Sequence, residues 1–248
     1  MRILIAIDDT DNLETPGTGH LASHMIELLE KKGLGKGSAI TRHQLYVHED
    51  IPYTSHNSSM CFEAEIDINN LDHITEFCQD FLVKESAPGS DPGLCIVNPQ
   101  ELLSEEILIN YGKDAKKTIL NKKIAYDLAA SLKVHLSEHG GTGDGIIGAL
   151  AGTGLRLSGN DGRLKGHFLV GDKDDTLTVN ELLKRTGADI VKTEDGHTLQ
   201  DDDIVRIGKK VKAVYLDHKA VVLVFPVKEN GNECRLWETC SKEQLKKY

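Results

Sequence analysis

Apolar and polar positions fall into short blocks along the chain, and the first block is the most decisive. Ile3-Leu4-Ile5-Ala6-Ile7 is an unbroken apolar run that stops at Asp8-Asp9-Thr10-Asp11. A run without alternation reads as a strand buried on both faces. From Thr18-Gly19-His20 onward, Leu21, Ala22, Met25, Ile26, Leu28 and Leu29 share one helical face, and Gly33 and Gly35 stop that helix. Strands are predicted over 38–48 and 58–67, the second with Met60, Phe62, Ala64 and Ile66 alternating cleanly. A helix over 71–83 follows, with Ile74, Phe77, Cys78 and Phe81 inward. After a loop bearing Pro88-Gly89 and Pro92-Gly93 comes a short strand at 94–97. The order is β-α-β-β-α-β, a ferredoxin-like pattern in an α+β chain.

Residues 99–138 read as helical, in two pieces hinged at Tyr111-Gly112, and the texture then changes. Ten of the chain's 23 glycines lie between Gly140 and Gly166. Further strands are predicted at 163–171, 188–193, 203–208, 211–217 and 219–227, many ending in Asp-Gly, Asp-His or Asn-Gly turn signals. The expected organisation is a catalytic domain over 1–166 followed by a small β-rich accessory domain over 167–248.

Composition narrows the class. At 248 residues the chain can bury a sizeable core without staples, and 27% charged residues against 39% hydrophobic ones exclude disorder along its whole length. No apolar run approaches a membrane span, and Met1-Arg2 leads straight into the first strand with no signal peptide, so a cytoplasmic protein without membrane partners is expected. Five cysteines (Cys61, Cys78, Cys95, Cys234, Cys240) with no CxxC pair argue against a zinc ribbon or a disulfide framework. A net charge of −10 weakens any broad attraction to nucleic acid.

Three segments carry chemistry. Carboxylates packed as closely as Asp8, Asp9 and Asp11 repel one another, and a hard divalent cation such as Mg²⁺ relieves that cost. An acidic turn is the competing reading, since Asp and Thr favour turns and helix caps. The second segment, His139-Gly140-Gly141-Thr142-Gly143-Asp144-Gly145, runs into the small-residue stretch Ile146-Ile147-Gly148-Ala149-Leu150-Ala151. Gly141, Thr142, Gly143, Asp144 and Gly145 form either a phosphate cradle at a helix N-terminus or a close-packed structural turn. It is neither a Walker loop nor a GxGxxG after a clear strand. The third holds Arg42, His43, Tyr53 and His56, polar donors between two strands that suit an acceptor substrate. His20 and His139 lie in or beside the same polar loops. Thr18 reads locally as a helix cap. Asp172 to Asp175 and Asp201 to Asp203 read as solvated turns.

Together these segments resemble a known family. Ile7-Asp8-Asp9-Thr10-Asp11, then Ile51-Pro52-Tyr53 ahead of a strand, Asn98 after the Pro92-Gly93 loop, and Gly143-x-Gly145-x-Ile147-Gly148-Ala149-Leu150-Ala151 occur in the order of the archaeal isoleucine-tRNA agmatidine synthetases, the TiaS family. The resemblance covers about residues 1–157. It implies an enzyme that uses ATP and Mg²⁺ to activate the C2 oxygen of a wobble cytidine, which agmatine then displaces. It makes Asp8, Asp9 and Asp11 the metal and catalytic carboxylates and sets Gly143 and Gly145 at the ATP phosphates. Thr18 falls where the family has a threonine that becomes phosphorylated.

The chain also departs from the family. It shows no cysteine quartet, and the family's OB-fold and zinc ribbon are expected to be lacking. After Ile51-Pro52-Tyr53 the family shows Lys-Thr-Arg-Gly-Asn, whereas Thr54-Ser55-His56-Asn57-Ser58 stands here, and a second threonine after Thr18 is Gly19. The expectation is a shortened relative performing phosphoryl transfer from ATP to a nucleotide, RNA or small-molecule acceptor, as a homo-oligomer or with a separate RNA-binding subunit. Two other readings stand beside it. Asp9-Thr10-Asp11-Asn12-Leu13 with Asp172 to Asp175 faintly resembles a haloacid-dehalogenase-type phosphatase, and a non-catalytic ATP-sensing module would keep the nucleotide site without turnover.

Overall fold

A computed structural model describes residues 1–53, 56–227 and 236–248. Thr54, Ser55, Cys234 and the Asn230-Gly231 turn signal lie outside the described residues. The chain divides into two compact units, 1–158 and 159–248, so the second begins eight residues before the expected boundary.

The first unit is built on β1 (Arg2–Asp8), whose alternate side chains enter two different cores. Ile3, Ile5 and Ile7 pack on one face with Met25, Leu29, Phe62 and Ile74, while Leu4 and Ala6 pack on the other with Leu108, Ile146 and Leu150. The first core is closed by α1 (Thr18–Lys31) and α2 (Leu71–Glu85). The second is closed by α3 (Glu105–Asp114), α4 (Lys122–Leu132) and α5 (Gly145–Leu157). This explains the unbroken apolar run, because a strand covered on both faces has no polar side to display.

The sheet order is β6-β5-β1-β4-β3, all antiparallel, with β2 also on β4. Its members are β2 (Gly35–Gly37), β3 (Thr41–Gln44), β4 (Ser58–Ile66), β5 (Gly93–Val97) and β6 (His135–Glu138). The strand expected over 38–48 is split and shifted. Between β2 and β3 the Ala39 carbonyl accepts from buried Arg156 at 3.3 Å instead of continuing a ladder. Arg156 also pairs with Glu63 at 3.0 Å and donates to Thr41 Oγ1 and Ser38 Oγ.

The helical stretch after 99 differs as well. Tyr111-Gly112 is not a hinge but part of α3, and the break falls at 115–121. Gly112 is there for close approach: a Cβ on it would sit 2.9 Å from the Ala151 carbonyl and 3.0 Å from Leu155 Cγ. Residues 135–138, expected to be helical, form the edge strand β6, released from α4 by Lys133 at φ +58°.

In the second unit the strands run β7-β11-β12-β13-β10-β8, with β9 parallel to β12. They are β7 (Arg163–Leu164), β8 (Thr176–Thr178), β9 (Ile190–Thr193), β10 (Ile204–Arg206), β11 (Val214–Leu216), β12 (Lys219–Pro226) and β13 (Leu236–Thr239). The strand expected over 163–171 is only two residues long, because Gly166 at φ +92° turns the chain away. A helix that sequence periodicity missed, α6 (Val179–Thr186), is fixed by a capping box in which Thr178 and Glu181 bond each other's backbone amides. The described cysteines, Cys61, Cys78, Cys95 and Cys240, are free and buried. Among the described residues no helix is long and apolar enough to cross a membrane.

Candidate active site

The acidic turn alternates buried Asp8 and Thr10 with half-buried Asp9 and Asp11, and that burial gives it its character. Asp8 ends β1 at 8% exposure. Loss of solvent, then the neighbouring charges of Asp9 and Asp11, push its carboxyl up to about 8 against a pull downward from the Asp9 amide. Its Oδ2 lies against α5 so closely that a methyl at Gly148 would overlap it. Asp9 adopts φ +52°, a left-handed conformation that Asp tolerates better than most residues. Burial and the charges of Asp91, Asp11 and Asp144 raise its carboxyl to about 6. Asp11 faces α1, where its Oδ1 accepts from the Thr18 amide at 3.0 Å and from the Thr18 hydroxyl at 2.7 Å. Because α1 begins at Thr18 with Gly17 before it, Thr18 is not the helix cap; its amide and hydroxyl are both held by Asp11. Thr10 Oγ1, buried in the same turn, has no hydrogen-bond partner among the described residues.

These carboxylates open onto a cavity of about 520 Å³. One end is acidic and holds Asp8, Asp9, Asp11 and Asp144, with Thr18, His20 and the start of α5 at Gly145. Apolar side chains also line the cavity, namely Leu45, Ile51, Pro52, Tyr53, Met60, Ile119 and Leu120, with the acidic Asp50 among them. Arg42 and His56 also line the cavity, and Arg42 Nε donates to Ser58 Oγ at 2.9 Å.

The donor set suits a hard cation. It consists of carboxylate oxygens, two of which bind protons unusually tightly when no cation offsets their charge. Among the described residues no three His, Cys, Asp or Glu side chains come close enough to hold a metal ion by themselves. Mg²⁺ does not require that, since it commonly takes one or two carboxylates and completes its shell with water and phosphate.

No family model matches the chain. Over 160 residues it is 26% identical to the tRNA 2-agmatinylcytidine synthetase TiaS of Methanosarcina acetivorans, covering 63% of this chain and 36% of that protein. The crystal structure of TiaS in complex with its isoleucine tRNA and ATP matches with a TM-score of 0.54 at 25% identity, over 62% of this chain and 36% of the other. The chain resembles TiaS. A tRNA fluorescent labeling enzyme matches nearly as well, with a TM-score of 0.53 at 25% identity over the same shares. The chain spans about a third of the length of these relatives.

Within this TiaS-like fold the residues singled out from sequence separate into two groups. Asp8, Asp9, Asp11, Thr18, Arg42, Tyr53, His56, Asp144 and Gly145 all line the cavity. Gly141, Thr142 and Gly143 do not. His43 is fully buried, with its Nε2 2.7 Å from Thr41 Oγ1, and is not among the lining residues. His139 bonds Ser137 Oγ at 2.8 Å.

Two features of the site escaped the sequence reading. One is Asp91, whose charge bears on Asp9 because β5 pairs with β1 in a register that sets Gly93 opposite Asp8. The other is the 115–121 connection, which supplies Ala115, Thr118, Ile119, Leu120 and Asn121 to the wall. An acidic residue just before Pro92-Gly93 was the available signal for the first. Nothing local marked the second.

Proposed function

We propose that the first unit is a Mg²⁺- and ATP-dependent phosphoryl-transfer centre of the TiaS kind, acting on a nucleotide, RNA or small-molecule acceptor. The observation that carries this reading is the buried Asp8 carboxyl with the half-buried Asp9 carboxyl beside it, in a cavity against the start of α5. Asp8 and Asp9 would hold the magnesium ion, with Asp11 beside them. When bound, the ion supplies neutralisation of the charge on the transferring phosphate oxygens.

The chain's own groups do the rest by position. The start of α5 presents the positive end of its dipole to an anion lying at Gly145, while the Ile146 and Ile147 amides turn back onto the Gly143 and Asp144 carbonyls. The Thr18 hydroxyl already shares its proton with Asp11 Oδ1, so Asp11 is placed to take that proton if Thr18 accepts a phosphoryl group. Arg42, aimed by Ser58, and His56 are the groups that orient the acceptor.

Phosphorus NMR of the protein with ATP and Mg²⁺, with and without bulk tRNA and agmatine, tests the proposal. ADP, AMP or a phosphothreonine resonance is expected, and its dependence on tRNA or agmatine identifies the acceptor class. Unchanged ATP in every mixture would overturn the catalytic reading.

A further inference from the structure

The glycine-rich turn ahead of α5 should be the loosest part of the site, because glycine loses more conformational freedom on ordering than any other residue. Gly141 at φ +55° and Gly143 at φ +77° both use conformations that favour glycine. The residue between them is held on every polar atom. The Thr142 amide donates to Asp91 Oδ1, and its hydroxyl donates to Asp91 Oδ2 at 3.1 Å. Its carbonyl accepts from Lys122 Nζ. Lys122 is in turn fixed by Glu138 Oε2 at 3.1 Å, and Tyr126 donates to the other oxygen of Glu138 at 3.2 Å. A side chain at Gly141 would overlap the Asp91 carboxylate, and one at Gly143 would overlap Glu138.

We propose that Asp91 and Lys122 are positioning residues that grip the Thr142 peptide from both sides and so fix the turn that delivers Asp144 and Gly145 to the cavity. The Thr142 amide is then committed to Asp91 and is not an anion donor. The anion is met instead by the positive dipole end of α5, whose Ile146 and Ile147 amides are engaged by the Gly143 and Asp144 carbonyls. Asp91 thereby joins the acidic end of the cavity, through its charge on Asp9, to the loop that opens the helix. This role rests on the phosphoryl-transfer reading for its purpose, though not for its geometry.

Amide hydrogen exchange at Thr142 and calorimetric MgATP binding, both on the full chain, test it together. Asp91→Ala is expected to speed exchange at Thr142 by roughly tenfold, the effect of losing one hydrogen bond to a charged acceptor. Asp91→Asn keeps an accepting oxygen for the amide and a donor for the hydroxyl, so it restores most of the protection. MgATP affinity should fall roughly tenfold in Asp91→Ala and Lys122→Ala, and much less in Asp91→Asn. Unchanged Thr142 exchange in Asp91→Ala overturns the latch. Restored exchange with MgATP binding still lost in Asp91→Asn overturns the positioning role, because Asp91 would then act by its charge. Wild-type protein with the expected exchange pattern but no affinity for MgATP removes the phosphoryl-transfer reading and leaves the latch standing.

Discussion

Asp8-Asp9-Thr10-Asp11 and Asp172-Lys173-Asp174-Asp175 are similar in composition and opposite in physics. In the second, Asp172, Asp174 and Asp175 are exposed, and Asp175 Oδ2 simply closes the turn on the Asp172 amide at 2.8 Å. Water screens those charges. In the first, a strand covered on both faces drives its last residue into the interior, and Asp8 and Asp9 are left with carboxyls raised to about 8 and about 6. A carboxylate cluster carries functional meaning when the fold desolvates it, and the count of acidic residues says little by itself.

The sharpest way to break this contrast is to remove one charge from the buried turn. Asp9→Asn keeps the left-handed backbone, which Asn also tolerates, and is expected to abolish turnover with the fold intact. Steady-state assays with a circular-dichroism control decide it, and near-normal activity would take the cluster out of the mechanism.

A second prediction concerns pH in the absence of divalent cation. The Asp8 carboxyl binds its proton more tightly in the folded protein, at about 8, than in the unfolded chain, near 3.8. Its contribution is therefore fully present below pH 3.8 and is lost as pH rises toward and through 8. Asp9 acts in the same direction, over the interval from 3.8 to about 6. In EDTA the wild-type Tm should fall relative to that of Asp8→Asn as pH rises from 3.8 to about 8, with the variant the more stable at pH 8. A Tm difference between wild type and Asp8→Asn that stays constant over the same interval would contradict the desolvated reading.

Smaller effects sharpen the comparison. Thr18→Ala loses a hydroxyl bonded to Asp11 and is expected to cost about 1 kcal/mol in denaturant unfolding, with any phosphothreonine resonance gone. Asp202→Ala, in the exposed turn before β10, should change stability by less than about 0.5 kcal/mol and leave activity untouched. A larger loss there would mean that the second unit's acidic turns are not merely solvated.

What was legible in the sequence follows the same division between local and non-local physics. The strand β1, its acidic end and the helices α1 and α2 are written in continuous runs or a clean period, and they lie where the sequence put them. The Thr178-x-x-Glu181 box that opens α6 was present in the sequence, but the helix behind it spans only eight residues, too short to show a period. The edge strand β6 carries His135, Ser137 and Glu138, with none of the apolar alternation of a buried strand. Gly112 reads as a breaker until α5 is seen to press on it. Asp91 and Ile119 reach the cavity region only through strand register and a helix connection that no window of sequence contains.

The seat of Asp8 against Gly148 has a consequence for how the protein is made. The two residues are 140 positions apart, so at ordinary rates of synthesis Asp8 waits roughly 7–28 s before the helix that covers it exists. Its strand waits too, since both neighbours of β1 come from residues 58–97. During that interval Ile3 to Ile7 are an exposed, strongly β-prone segment of the kind that seeds aggregation. Asp8, Asp9 and Asp11 are then fully hydrated and ionised, and they guard the nascent strand by repelling other copies of it. The carboxylates that the finished fold strains to keep together first serve to keep unfinished chains apart.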